Sequence, residues 1–324
     1  MNVFHPELQR AARSLPRLTF TPTLTRVINA VQKWRGVAKL PVVEGVTIRD
    51  SLIPGPSDNK LLRVRLYRPE AAVEPSPALL WIHGGGFIMG TPEQDEAQLV
   101  ALCRDLGIIV VAVAYRLGPK HCYPAPMDDC YAALKWLHGQ EDVAPTRIAI
   151  GGSSAGAGLA AGLTLLAHDR GEVRVAFQLL FYPMLDDRTA LRTDIDQSPL
   201  RIWNNRSNLF GWTSYLGAEP GGGMPDYAVP ARRQNLTGLP PTWIGVGTCD
   251  LFHDEDVDYA RRLKAASVDC TLNVVPGAFH GFDLVCRKTA VAEDFRDSAR
   301  SALLGALRRS AATGGGDVAK HSVV

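Results

Sequence analysis

Gly152-Ser153-Ser154-Ala155-Gly156 follows directly on the apolar run Ile148-Ala149-Ile150 and precedes the helix-forming stretch Ala157 to His168. A Gly-x-Ser-x-Gly pattern at a strand-to-helix turn can push one serine hydroxyl out of the backbone, into reach of a substrate carbonyl. The flanking glycines leave room where a side chain would collide with the neighbouring strand and helix. The register selects Ser154 rather than Ser153. Glycine and serine are common in βα loops, so the pattern means something only if its partners exist. A nucleophilic serine needs a base, an acid to hold that base, and donors for the oxyanion.

Donors are offered where Ala78-Leu79-Leu80-Trp81-Ile82, a buried strand by composition, runs into His83-Gly84-Gly85-Gly86-Phe87. Three successive glycines let a backbone turn its N–H groups toward one point. The base can be sought among eight histidines. His5 and His321 lie in terminal segments, and His83 belongs to the glycine loop. His138 and His168 fall near helix ends, where a cation suits the dipole, while His121 sits in a proline-rich loop and His253 opens a helix. His280 differs: it follows the strand-like Thr271-Leu272-Asn273-Val274-Val275 and the turn Pro276-Gly277-Ala278-Phe279. A loop just past a strand is where a sheet presents a base. The acid should leave an intervening strand, and Asp250 is the first carboxylate after Thr242 to Gly247. Asp254, Glu255 and Asp256 read instead as first-turn carboxylates of the next helix.

Rival chemistries fail on context. Cys249 adjoins the proposed acid but lacks turn glycines. Gly156-Ala157-Gly158-Leu159-Ala160-Ala161 matches a dinucleotide fingerprint only in letters, since it lies inside a helix rather than at its mouth. There is no Gly-Lys-Ser/Thr, no H-E-x-x-H and no clustered ligand set, so neither a metal nor another cofactor is expected.

The elements that must hold these residues alternate. Strands are predicted near 79–82, 108–115, 148–152 and 176–182, and helices near 95–106, 127–138 and 155–168, which predicts a parallel sheet covered on both faces. Gly45 to Leu52 and Leu61 to Tyr67 alternate around Pro54 to Asn59 and read as an antiparallel hairpin. Leu8, Ala12 and Leu15, then Leu24, Val27, Ile28 and Val31, recur at helical spacing and fit two short cap helices ahead of the sheet. The alternation breaks between Asp186 and Pro241, a segment holding Trp203, Phe210, Trp212, Tyr215 and Tyr227.

The 324 residues, 46% of them hydrophobic, suffice for one large α/β domain and a small cap. A formal charge of +2 removes any electrostatic case for nucleic acid. Six cysteines without a C-x-x-C pair read as reduced, partly buried thiols. No transmembrane stretch and no signal layout are present, which makes the cytoplasm the expected compartment. Oligomeric state is left open, a homo-oligomer included.

The chain resembles the hormone-sensitive-lipase-like family of bacterial carboxylesterases in the α/β-hydrolase superfamily. The resemblance rests on His83 to Phe87, on Tyr115-Arg116-Leu117-Gly118-Pro119-Lys120-His121 with Pro124-Ala125, on the Ser154 turn, on Asp250 to Tyr259, and on His280-Gly281-Phe282. It implies an α/β-hydrolase fold, a mostly parallel central sheet flanked by helices, with a small helical cap. It implies Ser154 as nucleophile, His280 as base, Asp250 as acid, and the N–H groups of Gly84, Gly85 and Ala155 as oxyanion hole, with His83 shaping the glycine loop. The substrate would be a small ester of short acyl chain, with Phe87, Trp203 and Trp212 as candidate pocket walls. Amidase, lactonase or deacetylase chemistry would use the same machinery. A non-catalytic binding protein on this scaffold would lack the histidine that His280 supplies. The implied division is cap helices over 1–45, catalytic core over 46–185 and 241–310, a cap insertion over 186–240, and a disordered tail over 311–324. Two positions depart from the family: Ser153 stands where Asp is common, and Ala157 replaces a glycine.

Overall fold

The computed structural model describes residues 3–35, 40–58 and 60–314. Two helices, α1 (Gln9–Ser14) and α2 (Pro22–Arg35), precede a hairpin of β1 (Val46–Pro54) and β2 (Leu61–Pro69). The hairpin is antiparallel in the register Val46↔Pro69 to Pro54↔Leu61. The alternating units follow: β3 (Ser76–Ile82), α3 (Glu96–Leu106), β4 (Ile109–Val113), α4 (Ala125–His138), β5 (Val143–Ser153), α5 (Ala155–Arg170) and β6 (Val175–Phe181). Next come α6 (Asn205–Leu216), β7 (Thr242–Cys249), α7 (His253–Ala265), β8 (Cys270–Phe279), the short α8 (Phe282–Val285) and α9 (Ala290–Gly314). The last helix thus carries residues 311–314, which had been expected to begin a disordered tail; 315–324, with His321, lie outside the described residues.

The eight strands form one sheet in the order β1-β2-β4-β3-β5-β6-β7-β8, parallel from β4 onward. The inner strands are apolar at successive positions because both faces are covered. In β3, Ala78, Leu80 and Ile82 enter the core shared with α4, α5 and α7, whereas Leu79 and Trp81 enter the core shared with α3 and α9. Helix α5 is buried from Ala155 to Ala167, so its run of Ala, Gly and Leu serves close packing rather than an amphipathic surface.

Register decides where chemistry can gather. β3 and β5 pair up to Ile82↔Gly152, so the glycine loop and the serine turn leave neighbouring strands at the same level. β7 and β8 pair up to Cys249↔Phe279, which launches Asp250 and His280 side by side. These are the carboxyl ends of the strands, where open α/β sheets bind ligands.

The N-terminal segment and residues 198–207 are laced together. Arg201 Nε donates to Ala12 O at 2.5 Å, Arg17 Nη2 to Ser198 O at 2.7 Å, and Phe20 N to Ser207 Oγ at 2.9 Å. Asn204 adds donations to Leu18 O and Thr19 Oγ1, both at 3.0 Å. This joint layer covers the site: a Cβ on Gly86 would lie 2.1 Å from the Trp203 ring, and one on Gly281 would lie 3.6 Å from Ile202. No helix of the described residues is long and apolar enough to cross a membrane.

Candidate active site

Ser154 follows β5 and caps α5 at φ 56° and ψ −122°, a conformation that L-residues seldom adopt. Three backbone bonds hold it there: Ser154 N donates to Phe181 O at 2.9 Å, and Ser154 O accepts from Gly158 N at 3.0 Å and Met184 N at 3.1 Å. The flanking glycines are sterically required. A Cβ on Gly152 would come within 2.6 Å of the Ile82 and Gly156 carbonyls, and one on Gly156 within 2.1 Å of Ile82 O. The turn faces Ser154 Oγ toward His280, whose Nε2 is 2.9 Å away.

On its other side, His280 Nδ1 lies 2.8 Å from Asp250 Oδ2, and Asp250 Oδ1 accepts the Phe252 N–H at 3.0 Å. A carboxylate so anchored orients the imidazole with Nδ1 as donor, leaving Nε2 to accept from the serine. Ser154, Asp250 and His280 are all buried, which strengthens these bonds by excluding water. The imidazole meets the rings of Tyr182 and Phe252 edge-on, at centroid distances of 4.7 Å and 5.3 Å.

The glycine loop presses against the serine turn: a Cβ on Gly84 would lie 2.9 Å from Ser153 O and 3.3 Å from Ser154 Cβ. Gly85 adopts φ 114° and accepts from Ile88 N and Met89 N at 3.1 Å each. Among the described residues no backbone hydrogen bond uses the N–H of Gly84, Gly85 or Ala155. His83 supports the loop from beneath. Its Nδ1 donates to Gly84 O at 2.8 Å, and its ring stacks on Tyr115 at 4.3 Å, whose hydroxyl donates to His83 O at 2.9 Å. Burial lowers the His83 pKa to about 4, so the ring is neutral. The stretch from Tyr115 is therefore a brace: Gly118 N donates to Phe87 O at 2.9 Å, and Arg116 is fixed to Asp129 at 2.9 Å and Asp58 at 2.6 Å.

Phe87, Trp203 and Trp212 are all buried. Phe87 stacks on Tyr215 at 4.2 Å and meets Trp212 at 5.2 Å, which places Phe87 and Trp212 in the packing between α6 and the glycine loop. The Trp203 ring lies directly on Gly86 of the glycine loop. A cavity of about 1210 Å³ opens between α2 and the loop after β4, bordered by Thr25, Asn29, Leu117, His121 and Phe210; neither Ser154, His280 nor the glycine loop lines it. Of the carboxylates after Asp250, Asp254 is exposed and paired with Arg192 at 2.8 Å. Glu255 is not a surface carboxylate: it points inward, accepting from Leu185 N at 2.7 Å, Asp186 N at 3.1 Å and Thr189 Oγ1. Asp256 is buried too, and burial raises the pKa of both. All six cysteines are free, and burial raises the Cys249 pKa, which weakens it as a nucleophile. Sequence reasoning missed Tyr182, Asp95 and Asp283, buried polar groups near the site that no local motif marks.

Residues 79–284 match the α/β hydrolase fold family. The chain belongs to it. Its place there is among the hormone-sensitive-lipase-like carboxylesterases. It is 30% identical over 298 residues to the esterase LipI of Mycobacterium tuberculosis, covering 86% of this chain and 91% of that one. It is 34% identical to the carboxylesterase NlhH of the same species, covering 68% and 70%. Among solved structures, a bacterial heroin esterase superposes with a TM-score of 0.85 at 37% identity, over 94% of this chain and 98% of that one. The chain is accordingly a carboxylic ester hydrolase.

Proposed function

We propose that this esterase hydrolyses short-chain carboxylic esters through an acyl-enzyme on Ser154. The observation that carries the reading is the unbroken chain Ser154 Oγ–His280–Asp250, with links of 2.9 Å and 2.8 Å. His280 Nε2 takes the serine proton as Oγ attacks the ester carbonyl, and Asp250 steadies the imidazolium that forms. The carbonyl oxygen, now anionic, is held by the free N–H groups of Gly84, Gly85 and Ala155. Collapse of the tetrahedral intermediate expels the alcohol, which takes the proton from His280. Water, deprotonated by the same imidazole, then attacks the acyl-serine and frees the acid. Short chains are favoured because Trp203 and Ile202 close over the two loops that carry the reacting groups. The experiment is Ser154→Ala: it should abolish hydrolysis of p-nitrophenyl acetate and labelling by an organophosphate, while the melting temperature holds. A variant that still hydrolyses the ester would sink the reading, and arylamides assayed alongside separate ester from amide preference.

A further inference from the structure

Behind the site lie two carboxylic acids that the mechanism above does not use. Asp95 and Asp283 are buried, at 1% and 0% exposure. Asp95 Oδ2 accepts from Trp81 Nε1 at 2.8 Å and from Ser153 Oγ at 3.3 Å. Asp283 Oδ1 accepts from the Tyr182 hydroxyl at 3.0 Å. The remaining oxygens, Asp95 Oδ1 and Asp283 Oδ2, are buried without a partner. Both residues border one small cavity of about 190 Å³, along with Arg287, Arg296 and Arg300.

None of those arginines bonds either carboxylate, although the charge of Arg287 works against the rise at Asp95 and that of Arg296 against the rise at Asp283. Arg287 donates to Leu284 O, Arg296 to the backbone carbonyls of Asp283 and Arg287, and Arg300 pairs with Asp297 and Asp105. Two bare, buried carboxylates bordering one small cavity are disfavoured, and such pairs can resolve the conflict by holding one proton between them. Burial raises the pKa of both, and repulsion from Asp283 adds to the shift of Asp95. One proton would also give each unpartnered oxygen a partner, directly or through a water in the adjoining cavity.

The pair grips both halves of the catalytic machinery. Ser153 precedes the nucleophile and is the strand end from which the turn springs. Tyr182, held at φ 37°, puts its ring 4.7 Å from that of His280. We propose that Asp95 and Asp283 are positioning residues that share a single proton, tie the Ser154 turn to the His280 platform, and leave one negative charge behind the imidazole. Ser153, next to Ser154, carries no charge of its own and hydrogen-bonds one member of the pair, Asp95. The proposal rests on Ser154 and His280 being the catalytic pair.

The test is Asp95→Asn, Asp283→Asn and the double variant, each profiled for kcat/KM against pH with p-nitrophenyl acetate. Charged or titratable groups facing His280 are Asp250, Ser154, Tyr182 and Asp283. A negative charge favours the protonated imidazole, so losing it should extend activity to lower pH. In either single variant the surviving acid no longer meets a like charge, stays ionised, and receives an amide N–H in place of the proton. Each single should therefore keep its acid limb in place and its kcat within about threefold, while the double moves the limb down by about half a unit or more. KM should change little in all three. Singles that each move the limb by half the shift of the double would mean two independent charges and would overturn the proposal, as would a double with an unmoved limb. Infrared spectra of the singles ask the question without the double: each should lose a protonated-carboxyl band at neutral pH, and a single that keeps it sinks the idea. Ser154→Ala separates the two readings. If it is inactive while the limbs behave otherwise, only the acid pair fails.

Discussion

Gly156 and the carbonyl of Ile82 stand so close that a Cβ on the glycine would lie 2.1 Å from that oxygen. This contact fixes the approach of α5 to β3, and through it the distance between the serine turn and the glycine loop. Gly156→Ala must push helix and strand apart, an overpacking that costs about 1–3 kcal/mol. A lowered melting temperature is expected, with a loss of kcat larger than the change in KM, because the glycine loop and the Ser154 turn sit on opposite sides of the contact. Unchanged kcat at a lowered melting temperature would mean that the turn tolerates the shift.

Asp250 uses both oxygens, one on His280 Nδ1 and one on the Phe252 N–H. Asp250→Asn keeps the shape but offers the imidazole a donor in place of an acceptor, which favours the wrong tautomer. Losses of about 10⁴ in kcat accompany this change in a serine protease, and a fall of that order is expected here. Asp254→Asn should leave kcat within about twofold, since Asp254 is exposed and engaged with Arg192 and His253. Comparable losses from both substitutions would reassign the acid.

His83 gives the fold a specific acid sensitivity. Its pKa is held down to about 4 by burial, against 6.5 in the unfolded chain. The unfolded state therefore binds a proton that the native state refuses between those values. The neutral ring's contribution is full above pH 6.5 and is lost as pH falls toward 4, by about 3 kcal/mol in all. His83→Asn, which can still donate to Gly84 O, should flatten the decline in stability over that window at some cost at neutral pH from lost stacking on Tyr115. Chemical denaturation at pH 7 and pH 4.5 reads the difference, and equal slopes in both proteins would refute it.

What could be read from the chain follows the range of the forces involved. The serine turn was legible because its constraints are local: two glycines must meet a strand and a helix within a few residues. Asp250 and His280 were legible because a parallel sheet sends its loops out at one end, so the end of a strand carries a position as well as a conformation. The alternation of strands and helices predicted the sheet, though β5 begins at Val143 and β8 reaches Phe279, well beyond the apolar cores of those runs. Glu255 is the first-turn carboxylate that was expected, but its inward direction could not be read from the chain. Its place in the first turn of α7 is the same in sequence whether it faces water or the chain at Leu185 to Thr189, and only tertiary packing turns it inward. Trp203 and Trp212 were equally ambiguous, because an aromatic side chain has the same spacing in a pocket wall and in a packed cap. Asp95 and Asp283 lie 188 positions apart, and nothing in either neighbourhood announces the other.

The two tryptophans now separate into different predictions. Trp212 is fully buried against Phe87 and Tyr215, so Trp212→Ala should act on stability, by the roughly 3–5 kcal/mol typical of emptying a large core site. Its preference among esters should change little. Trp203 rests on Gly86 and tilts against Phe20 at 5.5 Å, a joint between the glycine loop and the N-terminal segment. Trp203→Ala opens space beside the glycine loop. Each methylene that enters an apolar space contributes about 0.8 kcal/mol, roughly a fourfold gain in kcat/KM per carbon until the chain meets the next wall. The optimum across p-nitrophenyl acetate to palmitate should therefore move toward longer acyl groups in Trp203→Ala and stay in place in Trp212→Ala. The reverse pattern would put Trp212 in the acyl pocket and Trp203 in the frame, and a parent enzyme already fastest on the longest esters would remove the cap as the limit on chain length.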